Sequence, residues 1–298
     1  MELITVIILS YGESSQYKQT LLSVLGQDYP NIELIISDDA SETFEQERIQ
    51  KFIEQNRRGN IQSVVVRKNA NNVGIPRHNN ITASLAHGEY IKFIADGDRF
   101  VSSKSLRTLR DFAILFDEDI VTSPCIVTDA EHKHNLYMFP SKSRIKTINL
   151  SPNLFEVLAY SNILSAVGML YKRTFFCDGG FDESYYYLED WPTWLRVART
   201  GKRIPCYEAP IMRYALSGIS SKGGSAFESS LLRPDMILCY HKEIFPYSKQ
   251  LSKRTMRAVN YQYRYLCGKL PKWSEWRFVL KRIVKRTIKK LIFCRSVK

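Results

Sequence analysis

The chain has 298 residues, 44% hydrophobic and 12% aromatic, with a formal net charge of +13. That length suits one large α/β domain or two closely packed halves; no apolar run reaches the ~20 residues of a bilayer-spanning helix, and six scattered cysteines argue against a zinc module and for a reduced, cytoplasmic setting. The charge is uneven, since residues 249–298 hold 16 Lys and Arg against one acid, Glu275, which leaves residues 1–248 at −2.

Glu2 stands where a signal peptide would carry basic residues, and Leu3 to Leu9 has the β-branched character of a strand. Ser10-Tyr11-Gly12 breaks that run, and Leu21, Leu22, Val24 and Leu25 then mark a helix ending near Asp28-Tyr29-Pro30. A strand over Ile32 to Ile36 runs into Ser37-Asp38-Asp39-Ala40-Ser41, followed by an amphipathic helix over about Glu45 to Asn56 and a strand from Ile61 to Arg67. The loop Asn69 to Asn72 precedes a helix over Pro76 to Ala86, and Tyr90 to Ala95 is an apolar strand bounded by Gly88 and Gly97. Strand alternating with helix four times predicts a mostly parallel sheet with helices on both faces.

Further on, the pattern predicts a helix over Leu106 to Phe116, a strand over Ile120 to Val127, and a polar loop over Lys133 to Ser143. It continues with a helix over Asn153 to Tyr160, a strand over Ala166 to Tyr171, and a helix over Trp191 to Thr200 closed by Gly201. Tyr207 to Leu216 leads into a polar, flexible loop from Ser217 to Gly224, and the remainder reads as helical.

Asp96 and Asp98 follow the Tyr90 strand with one residue between them. In an extended segment both side chains can point the same way. Ligands of open α/β sheets bind beyond the carboxyl ends of strands, and paired carboxylates suit a hard divalent ion. The competing use of Asp-Gly is a solvated turn. Glu189 and Asp190 open a helix, where acids are also favoured simply as capping residues.

Several segments together resemble the family 2 glycosyltransferases of the GT-A fold, of the type that assembles bacterial polysaccharides. They are Ser23-Val24-Leu25-Gly26-Gln27-Asp28-Tyr29, Asn31 to Ser41, the looser Asn72 to Asn79, Gly88 to Asp98, Gly179-Gly180-Phe181-Asp182-Glu183, and Glu189 to Arg196. The resemblance covers roughly residues 3–216, and the joint match is far more specific than any one piece. Leu9, Gly12 and Ala40 depart from the residues frequent at those positions, and Arg99 stands where many members carry a further Asp.

The resemblance implies a GT-A architecture with a nucleotide-sugar-binding half over residues 1–103, an acceptor-binding half over 104–216, and a loop with a basic helical extension over 217–298. It implies a nucleotide-diphosphate sugar, UDP by preference, held by Ser10, Tyr11 against the base, Asp39, Arg77 and Asp96. Asp98 would ligate Mn²⁺ or Mg²⁺. Asp190 would be the general base of an inverting transfer, which needs one carboxylate on the acceptor hydroxyl, and Glu189 and Trp191 would border the acceptor. For Arg77 the alternative is a surface arginine, for Asp190 a capping acid, and for the tryptophans core packing.

His132 and His134 lie in the polar loop without neighbours at metal spacing and read as solvated. In the tail, Trp276, Val279, Leu280, Ile283 and Val284 recur at helical spacing opposite Arg277, Lys281, Arg282 and Lys285. That pattern suits a peripheral helix on an anionic membrane surface, at the inner face of the plasma membrane, which fits a lipid-linked saccharide acceptor. A solvated charged face is the alternative, and no nucleic-acid-reading module accompanies the basic stretch. The rival functions are a sugar-nucleotide-forming nucleotidyltransferase, whose Gly-rich phosphate loop is missing at Ser10-Tyr11-Gly12-Glu13, and a non-catalytic membrane- or nucleic-acid-binding protein on the same scaffold.

Overall fold

The computed structural model describes residues 1–12, 16–216 and 230–269, together with Trp276 and Leu280. Its first half alternates as the sequence predicts: β1 (Ile4–Ser10), α1 (Tyr17–Leu25), β2 (Ile32–Asp38), α2 (Gln46–Asn56), β3 (Ile61–Lys68), α3 (Ile75–Ala83) and β4 (Tyr90–Ala95). Then come β5 (Arg99–Phe100), α4 (Ser105–Phe116), β6 (Ile120–Val121), β7 (Cys125–Thr128), β8 (Asn135–Phe139), α5 (Lys142–Leu150) and α6 (Leu154–Tyr160). The described chain continues through β9 (Leu170–Lys172), α7 (Thr174–Cys177), α8 (Asp190–Arg199), β10 (Met212–Ala215), α9 (Arg233–Cys239) and α10 (Lys253–Leu266).

A six-stranded sheet runs β3-β2-β1-β4-β9-β6, and a four-stranded one β5-β10-β7-β8. β1 is parallel to both β2 and β4, with Ser10 opposite Asp38 and Leu9 opposite Ala95. This register carries Tyr11, Asp39 and Asp96 off the sheet at one edge. Both faces are covered, which is why the strands read as continuous apolar runs. Ile4, Val6, Ile8, Leu34 and Ile36 pack with Leu21 and Val24 of α1 and Leu106 and Leu109 of α4, while Ile7, Ile35 and Ile91 lie under Ala83 and Ala86.

Three expectations need correction. The segment Ile120 to Val127 is two strands in different sheets, parted where Pro124 cannot donate to a ladder. Ala166 to Tyr171 begins as a 3₁₀ turn before β9, and a Cβ on Gly168 would fall 1.9 Å from the Ser123 carbonyl. The polar stretch Lys133 to Ser143 contains β8, an edge strand whose exposed and half-buried side chains hid its pairing with β7.

The helices beyond residue 230 share a core with the preceding half. Cys239, Tyr240, Ile244 and Val259 pack with Phe155, Leu158, Trp191 and Trp194. The loop expected over Ser217 to Gly224 lies outside the described residues, as does most of the basic tail. Of that tail Trp276 and Leu280 are described, both helical and exposed. No helix among the described residues is long and apolar enough to cross a membrane.

Candidate active site

The ends of β1 and β2 are tied by Asp38, which is fully buried. Its carboxylate accepts from Ser10 Oγ at 2.9 Å, from Ser41 Oγ at 2.6 Å and from the Ser41 N–H at 2.6 Å. Ser10 therefore braces the strand ends with its hydroxyl. The turn passes through Ala40 at φ 71°, a region that favours glycine, and the Asp38–Ser41 bonds hold it there.

Asp39 points the other way, into the loop before α3. Its oxygens accept from Asn69 Nδ2 at 2.7 Å, from the Val73 N–H at 3.1 and 3.2 Å, and from the Gly74 N–H at 3.2 Å. Three donors leave about one of the four acceptor directions of a carboxylate open. Behind this layer Arg67 donates to Ser37 Oγ at 2.8 Å and to Asn69 Oδ1 at 2.6 Å, and His78 Nε2 lies 2.8 Å from Ser37 Oγ. Tyr11 is 67% exposed at the mouth. Arg77 is a surface side chain, 3.8 Å from Glu183, at a distance where exposed pairs contribute little.

At the end of β4, Gly97 takes φ 102°, so the chain turns between the two acids. Asp98 is buried; Oδ1 accepts from the Ala215 N–H of β10 at 3.1 Å, and Oδ2 has no hydrogen-bond partner among the described residues. Burial pushes its carboxyl up to about 7, against the opposing pull of the Ala215 N–H and the Lys92 charge. Lys92 is itself fully buried, with Nζ on the Phe93 and Val167 carbonyls at 2.8 and 2.7 Å.

A buried carboxylate oxygen with no donor is where a hard cation fits. The described residues contain no group of three His, Cys, Asp or Glu able to hold a metal. Asp98, with Asp96 beside it, would thus be the protein's share of a shell completed by ligand oxygens and water.

His132 corrects a further expectation. It is buried, its Nε2 lies 2.6 Å from the Gly97 carbonyl and its Nδ1 2.8 Å from Thr128 Oγ1. The ring thus braces the turn between the two acids from 35 residues away, a contact that no local spacing announces.

Glu189 and Asp190 begin α8 and are half-buried. Asp190 accepts from the Trp191 N–H at 2.5 Å and from Asn162 Nδ2 at 3.2 Å. Burial raises the pKa of both acids; the Asp190 charge adds to the rise at Glu189, which is pushed up to about 8. The pair therefore titrates as a unit, with the proton held more firmly on Glu189. The Tyr171 ring, 5.9 Å from Phe93 of β4, feels both carboxylates. Trp191 does not border an acceptor: it is 2% exposed, its indole N–H bonds the Leu158 carbonyl at 2.9 Å, and it packs edge-on to Tyr240. Truncating such a buried indole costs roughly 3–5 kcal/mol, which makes Trp191 a stability residue.

The loop ahead of Asp190 is held at both ends by residues the sequence did not reveal. One oxygen of Asp235, in α9, accepts the backbone N–H groups of Tyr186, Tyr187 and Leu188 at 2.9, 2.6 and 3.1 Å. On the other side Tyr186 receives the Ile75 N–H on its carbonyl at 2.8 Å and donates its hydroxyl to Asn72 at 2.7 Å. Burial, and after it the nearby Tyr187 and Asp39, raise the pKa of the Tyr186 hydroxyl. Tyr186 thus joins the Asp39 pocket to the segment bearing the acid pair.

Other resembling segments serve as clamps. Gln27 donates to the Ser23 and Ser102 carbonyls and accepts the Leu106 N–H, locking α1 to α4. Asn80 of α3 bonds the Phe181 backbone on both sides, and Arg196 donates to the Gly180 carbonyl.

Residues 5–164 match the family described as glycosyl transferase family 2. WfaP of Escherichia coli, a glucosyltransferase named for UDP-Glc and α-D-GlcNAc-diphosphoundecaprenol, is 34% identical over 104 residues, 35% of this chain and 39% of its own. The chain spans from 26% to 59% of the length of five curated relatives. Among solved structures, Staphylococcus aureus TarS 1-349 in complex with UDP-GlcNAc superposes with a TM-score of 0.59 at 15% identity, over 88% of this chain and 73% of that one. The mannosyltransferase PcManGT from Pyrobaculum calidifontis, in complex with GDP-Man and Mn²⁺, gives 0.59 at 13% identity, over 98% and 84%. The family match spans more than half of the chain and these structures share its fold: the protein belongs to glycosyl transferase family 2 and has the GT-A fold.

Proposed function

We propose that the chain is an inverting, metal-dependent glycosyltransferase. It moves a hexose or N-acetylhexosamine from a UDP-sugar to a lipid-linked saccharide during surface-polysaccharide assembly. One observation carries this reading: parallel register brings Tyr11, Asp39 and the Asp96–Asp98 turn to a single sheet edge, and Tyr186, bonded to Asn72 and Ile75, ties the loop before α3 to the segment that leads into Asp190.

In this reading the Tyr11 ring covers the base and the open acceptor direction of Asp39 takes a base N–H. Asp98 would hold Mn²⁺ or Mg²⁺, with Asp96 near the ribose or a metal-bound water, and the ion would supply positive charge to the departing diphosphate. Asp190 takes the proton of the acceptor hydroxyl as it attacks the anomeric carbon from the face opposite the diphosphate. Burial strengthens it as a base, and the proton on Glu189 leaves the charge of the pair on Asp190. The Asn162 amide and the Trp191 N–H fix its orientation.

The UDP preference is supported by the donor named for WfaP and the UDP-GlcNAc bound to TarS, and the lipid-linked acceptor by the name of WfaP. Use of a divalent ion is supported by the Mn²⁺ in PcManGT and by the unpartnered Asp98 oxygen. Placement at the inner face of a plasma membrane rests on the basic amphipathic pattern of the tail, largely outside the described residues.

A panel of UDP-sugars with Mn²⁺ and a short-chain lipid-diphosphate saccharide tests the assignment. Release of UDP with one sugar is the expected result. Release of pyrophosphate would identify a nucleotidyltransferase instead, and release of neither would remove the enzyme reading.

A further inference from the structure

Arg99 of β5 and Arg213 of β10 stand directly opposite each other in an antiparallel pair. Side chains so placed have Cβ atoms about 5 Å apart, and like charges there repel. An acid between them would answer that repulsion. Among the described residues, no carboxylate lies within ion-pair distance of either arginine. Each instead donates to a neutral amide oxygen, Arg99 to Gln16 and Arg213 to Asn135 at 2.7 Å. Arg99 Nε is buried with no partner among the described residues. Burial, and then the charge of Arg213, make Arg99 less basic than usual.

The pair sits next to the chemistry. Arg99 directly follows Asp98, and Arg213 is two residues before Ala215, whose N–H holds Asp98. Residues two apart on a strand share a face, so Arg213 projects on the same side as Ala215. Both arginines belong to the four-stranded sheet, whereas Tyr11 and Asp39 leave β1 and β2 of the other sheet. Two half-buried guanidinium groups on directly paired residues, with only neutral partners among the described residues, offer the charge and donors that a phosphate group takes.

We propose that Arg99 and Arg213 form an anion site that receives a phosphate carried by the acceptor, separate from the donor diphosphate. The proposal rests on the lipid-linked-acceptor reading above. It explains why an arginine follows Asp98 in this chain: a further acid there would neutralise Arg213 and close the site.

The test uses the full chain saturated with UDP and Mg²⁺, titrated with farnesyl diphosphate and, in parallel, with farnesol. Wild-type protein is expected to bind the diphosphate more tightly than the alcohol. Arg99→Gln and Arg213→Gln each weaken farnesyl diphosphate by about tenfold or more, as expected for losing a charge-assisted contact. Farnesol binding and UDP affinity should stay within about twofold. Arg99→Lys and Arg213→Lys, which keep the charge, retain most of the diphosphate affinity, separating loss of the site from loss of the fold. Unchanged farnesyl diphosphate affinity in both Gln variants overturns the proposal, as does equal binding of farnesol by the wild type. A parallel fall in UDP affinity also overturns it, because the pair would then serve the donor. Wild-type protein that binds no UDP would fault the donor reading itself.

Discussion

Asp190 and Glu189 differ in what they can do because they share one environment and one proton. A base must be ionised, so turnover rises as pH climbs through the raised Asp190 pKa and is lost below it. Glu189→Gln replaces an acid that keeps its proton while Asp190 ionises, and no charge on Glu189 contributes to the raised Asp190 pKa. The acidic limb of the pH–rate profile should therefore stay in place, with the plateau rate within about tenfold. A limb that moves to lower pH would mean that Glu189 carries charge while Asp190 titrates. Asp39 is the complementary case, a carboxylate oriented by three donors with one direction open. Asp39→Asn keeps the shape but reverses a donor, and should weaken UDP by roughly tenfold, measured by calorimetry. Much of this was legible, because an acid at a strand end or helix start is visible in local pattern. Trp191 was readable too: positions 191, 194, 195 and 198 form one helical stripe, which is the core face of α8. His132 and Asn162 were not, since their partners lie 35 and 28 residues away.

The elements that matter most beyond the main sheet are the Tyr186–Leu188 loop and α9. Asp235 is the only polar side chain among the described residues seen to bond three successive N–H groups of that loop. Removing it leaves those part-buried donors without their acceptor, and the loop leads into Asp190. Asp235→Ala is expected to lower kcat by about tenfold or more through misplacement, with UDP affinity changed less. Asp235→Asn, which still offers an acceptor oxygen, should recover part of the rate. Equal losses in the two variants would point to a charge effect instead. No local pattern announces this contact: α9 lies 47 residues from the loop it holds, beyond the segment over which the family resemblance runs. β8 was hidden for a different reason, because a short edge strand with exposed side chains shows no buried face to read.

At the scale of the whole molecule, the site is maintained against stability. Asp98 binds its proton up to about pH 7 when folded but only to about 3.8 when unfolded. The native state therefore holds more protons between those values, and stability falls as pH rises across them. Asp98→Asn should raise the melting temperature at pH 7.5 without divalent ions, by on the order of a few kcal/mol in unfolding free energy. It should also abolish the rise that Mn²⁺ with UDP gives the wild type. A variant no more stable than wild type would show that the buried carboxylate finds its compensation within the protein. The parallel strands β1 to β4 were legible because their runs are mostly apolar, whereas β6 and β9, antiparallel to their neighbours, were not. The sharing of one core by α8 and the helices after residue 230 was not, since that packing joins residues far apart along the chain.

The most direct measurement compares wild type with Asp190→Asn for two quantities, Mn²⁺-dependent UDP affinity and the rate of sugar transfer. Affinity within about twofold, with transfer lower by about a thousandfold or more, is the predicted pairing, since general-base removal typically costs two to four orders of magnitude. Transfer within tenfold of wild type, or UDP affinity lost along with it, would contradict a separate acid acting on the acceptor.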